Sequence, residues 1–239
     1  MLSVTTKSGI YNGSKVIGTQ TLGLRGLVLW LKFNEGSGNI AYDSSFYNNH
    51  GTIYGAVWTD GKYGKALYFD GVDDKVEVKN SPNLHCTEAI TIAVWVYFYD
   101  VCTDQKILSH HPFSGWLLGV GDVDGKADVE LWTEAGEHLR PRGDVSVNAW
   151  NFIVVTYDAS KTTDAAKIYV NGELKGTEDG TGSPLKTPNE NLYVGVAGWG
   201  SNYLWGIVDE VKIYNRVLSD YEIKLLYYNR IGAVPSKTI

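Results

Sequence analysis

Cysteine is nearly absent from this chain of 239 residues: only Cys86 and Cys102 occur, on either side of a strand expected over residues 89–99. At about 3.3 Å per residue such a strand holds its ends roughly 30 Å apart, whereas a disulfide needs Cα atoms within about 7 Å, so no intrachain bond is expected. The same spacing matches no zinc pattern, which leaves two thiols as ordinary core or loop residues. Basic charge is also short. Against 27 Asp and Glu stand 21 Lys and Arg, a formal charge of −6, which disfavours a surface built for nucleic-acid phosphates. No run approaches the roughly 20 consecutive apolar residues that cross a bilayer. Residues 1–20 are rich in Ser, Thr, Gly and Lys and show no apolar core of a secretory signal, so export would need another route or a removed signal.

Aromatics and glycine are plentiful, with 16 Tyr, 8 Trp and 27 Gly against a single Met. Strands and tight turns are their natural consumers. Apolar residues at 44% and charged ones at 20% match a packed globular chain rather than a disordered one. Period-two alternation recurs at 27–33, 66–69, 75–78, 89–99, 128–132, 151–157, 167–170, 192–195 and 210–214, the pattern of half-buried strands. Turn signals separate them, among them Asn171-Gly172, a type I′ hairpin pair in which both residues need positive φ. One helix is expected near the end, where Ser219 and Glu222 form a capping box ahead of Ile223, Leu225 and Leu226. Trp95 and Trp150, within strand-like runs, read as core filler. The organisation expected is an arm or linker over 1–24, one domain over 25–231 and a tail over 232–239.

Segments 29–38 (LWLKFNEGSG), 43–45 (DSS), 48–51 (NNHG) and 64–71 (GKALYFDG), followed in order by 91–96 (TIAVWV), 148–151 (NAWN), 168–172 (IYVNG) and 209–219 (DEVKIYNRVLS), resemble a laminin G-like, concanavalin A-like domain of the lectin and glucanase jelly rolls. The resemblance covers about residues 26–230. It implies an all-β fold: a two-sheet antiparallel jelly-roll sandwich, one sheet concave and one convex, with one short C-terminal helix. Such modules are commonly extracellular or surface-exposed, virion components included. Oxygen donors cluster in two Gly-rich turns, 43–51 and 70–74, and calcium accepts six to eight oxygens; a solvated acidic turn is the plainer reading of the same residues. Members of the family often carry a structural calcium held by the Asp that opens the Asp-Glu-Val strand, which implies Asp209 here, with Asp43 and Asn48 from the loop as further ligands.

A second candidate surface is expected on the concave sheet or its rim. Residues 106–111, Trp116, Glu130, Trp132, Glu134, His138, Arg140, Arg142, Trp199 and Trp205 supply aromatics, bases and acids there. Sugars suit such a surface, because C–H faces pack on indole rings while hydroxyls bond to polar side chains. Trp116, Trp132, Arg140, Trp205 and His110 are the ligand-binding residues selected. Adjacent His110 and His111 should point to opposite faces, so only one of them serves the site. Related glucanases carry a Glu-x-Asp-x-x-Glu strand, and none is found here; Asp128 and Glu130 with Glu134 have a different spacing. The reading is therefore a carbohydrate or glycoconjugate recognition module, leaning away from catalysis. A polysaccharide lyase or glycoside hydrolase on the same fold, or a structural protein that binds a protein partner, are the alternatives.

Overall fold

The computed structural model describes residues 10–11, 14–15, 24–111, 115–121 and 125–228. The expected arm at 1–24 and tail at 232–239 lie almost wholly outside the described residues, apart from a two-residue antiparallel pair, Ile10–Tyr11 with Ser14–Lys15. Two antiparallel sheets face each other. The eight-stranded sheet runs in the order Glu173–Glu178, Ala166–Val170, Trp150–Asp158, Ala89–Phe98, Trp205–Tyr214, Lys65–Asp70 and Val57–Asp60, with Leu27–Leu31 also paired to Trp205–Tyr214. The nine-stranded sheet runs His138–Leu139, Ala127–Trp132, Gly115–Val120, Gln105–His110, Leu192–Val194, Lys75–Val78, Gly51–Tyr54 and Ile40–Ala41, with Arg142–Gly143 paired to Ala127–Trp132.

Alternation sets the layers. Val94, Val96 and Phe98 face the inter-sheet core with Ile153, Val155, Val208, Leu118 and Val129, whereas Ala93 and Trp95 face outward. The last strand begins at Trp205, five residues before the run legible in the sequence, and carries a register shift between Asp209 and Lys212 where Glu210 has φ 55°. That bulge resets the alternation, so Val211 and Ile213 return to the core.

The single α-helix, Asp220–Tyr227, starts at Ser219 with both halves of the capping box formed. It buries Ile223 and Leu226 against Leu27, Phe152, Val154 and Tyr214 on the outer face of the eight-stranded sheet, and Trp95 stacks on Tyr227 at 5.6 Å between ring centroids. The helix thereby covers that outer face around Trp95 and Phe152. The hairpin at Asn171-Gly172 has φ 53° and 80° at its central residues, as a type I′ turn requires. Both cysteines are free, Cys86 buried and Cys102 exposed, and no helix among the described residues is long and apolar enough to cross a membrane.

Candidate functional site

The strand Ala127–Trp132 shows how the sequence builds one surface. Ala127, Val129 and Leu131 go to the core, so a period of two turns Asp128, Glu130 and Trp132 to the outer face of the nine-stranded sheet. Trp132 pairs directly with His138 across the next strand, and the two rings stack at 4.7 Å with an 11° interplanar angle. His111 lies against the same indole at 4.3 Å, and Trp199 meets His111 edge-on at 5.5 Å. Trp199 is 47% exposed. Its loop can lie against the edge of Gln105–His110 only because residue 198 is glycine, since a Cβ there would sit 1.9 Å from the His111 carbonyl oxygen.

Charges flank the stacked rings. Arg140 donates to Asp128 through Nε at 3.1 Å and through Nη2, and its Nη2 lies 3.6 Å from Glu130. Glu130 also pairs with His138 Nε2 at 3.0 Å and with Lys106 at 3.6 Å. Lys106 reaches Asp104 at 2.5 Å, and Asn202 donates to Asp104 at 2.8 Å. A side chain at Gly119 would strike the Lys106 Cδ at 2.7 Å, so the lysine stem crosses the sheet over a glycine and is itself buried. The result is a row of rings beside an alternating set of carboxylates and cations, with Trp132, His138, Glu130 and Arg140 partly open to solvent. Burial, with His138 nearby, holds the His111 imidazole down at about 4, so it is neutral near pH 7.

The selected ligand residues separate in space. Trp132 and Arg140 come together as described. His110 points the other way from His111: it is fully buried, edge-on to Trp116 at 6.0 Å, with Nε2 3.4 Å from Asn80 Oδ1. Burial, then the neighbouring His85, lowers it to about 3. Trp116 is 2% exposed and belongs to the inter-sheet core, because its position in the strand Gly115–Val120 has the parity of Leu118 and Val120. Trp205 was expected with Trp132, but it projects from the outer face of the opposite sheet, beside Tyr99. Glu134 is exposed beyond the end of its strand. His111, His138, Trp199 and Glu130 fall in the wider set the sequence pointed to; Asp104 does not, since a lone Asp in a turn gives no signal.

The calcium candidates are also apart from this surface. Both oxygens of Asp43 are occupied: Oδ1 accepts from the backbone of Trp30 and Ser45 at 2.8 Å, and Oδ2 from Ser45 Oγ at 2.6 Å and the Asn49 backbone at 2.9 Å. Asn48 is exposed in a left-handed turn, φ 57°. Asp209 differs. It is fully buried, its Oδ2 accepts from the Tyr63 backbone at 2.9 Å, and its Oδ1 has no hydrogen-bond partner. Burial raises its carboxyl to about 7, partly offset by the Tyr63 hydrogen bond. Among the described residues one group of three carboxylates converges, Asp70, Asp73 and Asp74, in an acidic turn.

A cleft of about 420 Å³ lies elsewhere, at the N-terminus of the helix, lined by Lys161, Lys167, Tyr169 and Asp220 among others; it shares no residue with the stacked rings. The model of the concanavalin A-like lectin/glucanases superfamily matches residues 70–224. The binding domain of Paraclostridial Mosquitocidal Protein 1 superposes with a TM-score of 0.71 at 16% identity, over 86% of this chain and 52% of that one. The botulinum neurotoxin serotype G binding domain gives 0.67 at 17% identity, over 85% and 51%. Domain 4 of AbnA, a GH43 extracellular arabinanase from Geobacillus stearothermophilus solved in complex with arabinotriose, gives 0.64 at 18% identity, over 84% and 98%. The chain thus spans about half the length of the toxin binding domains and nearly all of the arabinanase domain. At these identities the likeness is one of fold. Comparison with curated protein sequences finds no match.

Proposed function

The chain belongs to the concanavalin A-like lectin/glucanase superfamily, and from that premise we propose that it is a non-catalytic recognition module for a carbohydrate or glycoconjugate. The observation that carries this is the Trp132 ring, stacked with His138, flanked by His111 and Trp199, and bordered by the Glu130–Arg140 pair. A sugar ring needs an apolar platform together with directed donors and acceptors at its edge, and this surface sets the exposed His138 and Trp199 rings and the partly open Trp132 edge beside the Glu130–Arg140 pair. The arabinotriose complex of the arabinanase domain supports a saccharide as the ligand class. A glycan ligand would suit a module outside a cell or on an exposed surface.

Asp128 and Glu130 share one face, as two catalytic carboxylates would. Each is tied to basic groups, Asp128 to Arg140 and Glu130 to His138, Lys106 and Arg140. That pairing suits a fixed recognition surface better than an acid held protonated for proton transfer. A structural calcium belongs to the same proposal only at Asp209, on the strength of its buried Oδ1 without a hydrogen-bond partner; there it would pin the loop at Tyr63 to the last strand. The test of function is a glycan array run beside a degradation screen that follows reducing ends and unsaturated uronates. Binding without product is expected. Product formation would establish a hydrolase or lyase, and silence in both assays would overturn carbohydrate recognition and favour a protein partner.

A further inference from the structure

The C-terminal helix covers the outer face of the eight-stranded sheet around Trp95 and Phe152, with Trp150 packed at the border of that cluster, and from Trp150 outward runs a row that no function has yet absorbed. Val57, Tyr68, Ile207, Tyr97 and Trp150 are consecutive register partners across five strands. Tyr99 and Trp205 extend the row at its edge, with ring centroids 5.5 Å apart. Tyr99 also meets Tyr97 at 5.3 Å and Tyr68 at 6.0 Å. Trp205 is 45% exposed and Val57 59%. Among the described residues none of the hydroxyls of Tyr68, Tyr97 and Tyr99 has a hydrogen-bond partner. Core aromatics do not look like this: the indole and valine are open to solvent.

Shape and charge choose the occupant. Five strands at about 4.8 Å spacing make a platform roughly 19 Å long, the length of an extended oligomer. A small cation needs ring faces that enclose a space between them, whereas Tyr68, Tyr97 and Trp205 are packed directly on Tyr99, the two tyrosines edge-on at 75° and 65°, which leaves no ring-lined space among them. Around the row itself, residues 66–74, 97–105, 145–157 and 203–209 contain no Lys or Arg and every charged residue in them is an aspartate, while the nearest lysines are engaged elsewhere, Lys65 with Asp60, Lys62 over Trp95 and Lys212 over Trp30. Asp70 lies directly opposite Trp205 in the pairing, and Asp100 follows Tyr99. Anionic ligands are repelled from such a surface, whereas carboxylates and phenols accept hydrogen bonds from neutral hydroxyls. We propose that this face is a second binding surface, separate from the one around Trp132, and that its ligand is an extended neutral oligosaccharide stacked on Trp205 and the tyrosine row. The proposal does not rest on the reading of the Trp132 surface, because the two lie on opposite sheets.

Affinity electrophoresis through gels containing arabinan, mannan, a soluble β-glucan or polygalacturonate tests it. At least one neutral polysaccharide should retard the protein. Trp205→Ala should weaken that retardation at least tenfold, and Tyr97→Phe, which removes only a hydroxyl and keeps the packing, several-fold. Phe46→Ala, which removes an exposed ring assigned to neither surface, should leave it unchanged, and polygalacturonate retardation should be insensitive to Trp205→Ala. Thermal melting of each variant checks that the fold is retained. The proposal is overturned if no neutral polysaccharide retards the protein, if Trp205→Ala and Tyr97→Phe migrate as wild type in every gel, or if Trp205→Ala affects only the anionic polymer.

Discussion

His110 makes the protein acid-sensitive in a way that one substitution should remove. Its imidazole is fully buried, and burial together with His85 lowers it to about 3, whereas in an unfolded chain a histidine titrates near 6.5. A depressed folded-state value means that the stabilisation is fully present above pH 6.5 and is lost as pH falls toward 3. Between pH 7 and pH 5 the unfolded chain takes up a proton that the fold refuses. The loss over that interval is about 2 kcal/mol, a sizeable part of the roughly 5–15 kcal/mol that holds a typical domain together. Replacing the ring by a neutral amide, His110→Gln, keeps a polar group near Asn80 and removes the titration. Urea unfolding of both proteins at pH 7 and pH 5, in the presence of a chelator, measures the difference. Asp209 acts in the opposite direction: its carboxyl is raised to about 7, so ionising it costs stability as pH rises through that value. It is common to both proteins and cancels in the comparison, as does His111. His110→Gln should therefore lose about 2 kcal/mol less than wild type on acidification. An equal acid loss in both proteins, within about 0.5 kcal/mol, would refute the assignment of His110 as a buried neutral base.

Two further outcomes follow from the packing and the buried carboxylate. Trp116→Ala should cost about 3–5 kcal/mol, the usual price of a large core aromatic, seen as a lower urea midpoint; a stable variant with selectively impaired glycan binding would return Trp116 to the ligand surface. If Asp209 holds calcium, a free concentration one hundred times its dissociation constant should add about 2.7 kcal/mol, and Asp209→Asn should abolish the rise in melting temperature. Identical melting curves with calcium and after verified metal removal would dispose of that ion.

The sandwich was legible because most strands have one face in the core and one in a different environment, so Ala127–Trp132 and Lys75–Val78 alternate visibly. Gln105–His110 and Gly115–Val120 do not alternate, since every residue in both is buried: the Lys106 stem and the loop at Gly198 close the outer face over them. The helix was readable in full because its capping box is local chemistry between Ser219 and Glu222. The site was only half readable. Strand parity turns Asp128, Glu130 and Trp132 the same way, but parity does not say which sheet a strand joins, and Trp205 went to the other one. Nor does it separate a core indole from a surface indole, which is why Trp116 resembled Trp132 on paper. The stacking of His138 on Trp132 depends on a register fixed by the turn between them, and the tyrosine row depends on partners brought together from five strands.

Sugar binding at the surface around Trp132 can be read from calorimetric titration of an oligosaccharide chosen from the glycan array. Wild type and Trp132→Ala would be compared with the same ligand, after matching far-ultraviolet circular dichroism. Removing a ring that stacks on a sugar costs the apolar area and its orientation, about 1.5–3 kcal/mol, so affinity should fall roughly ten- to hundredfold, with binding retained by His110→Gln. An unchanged dissociation constant in a folded Trp132→Ala protein, for every ligand the array identifies, would contradict the account.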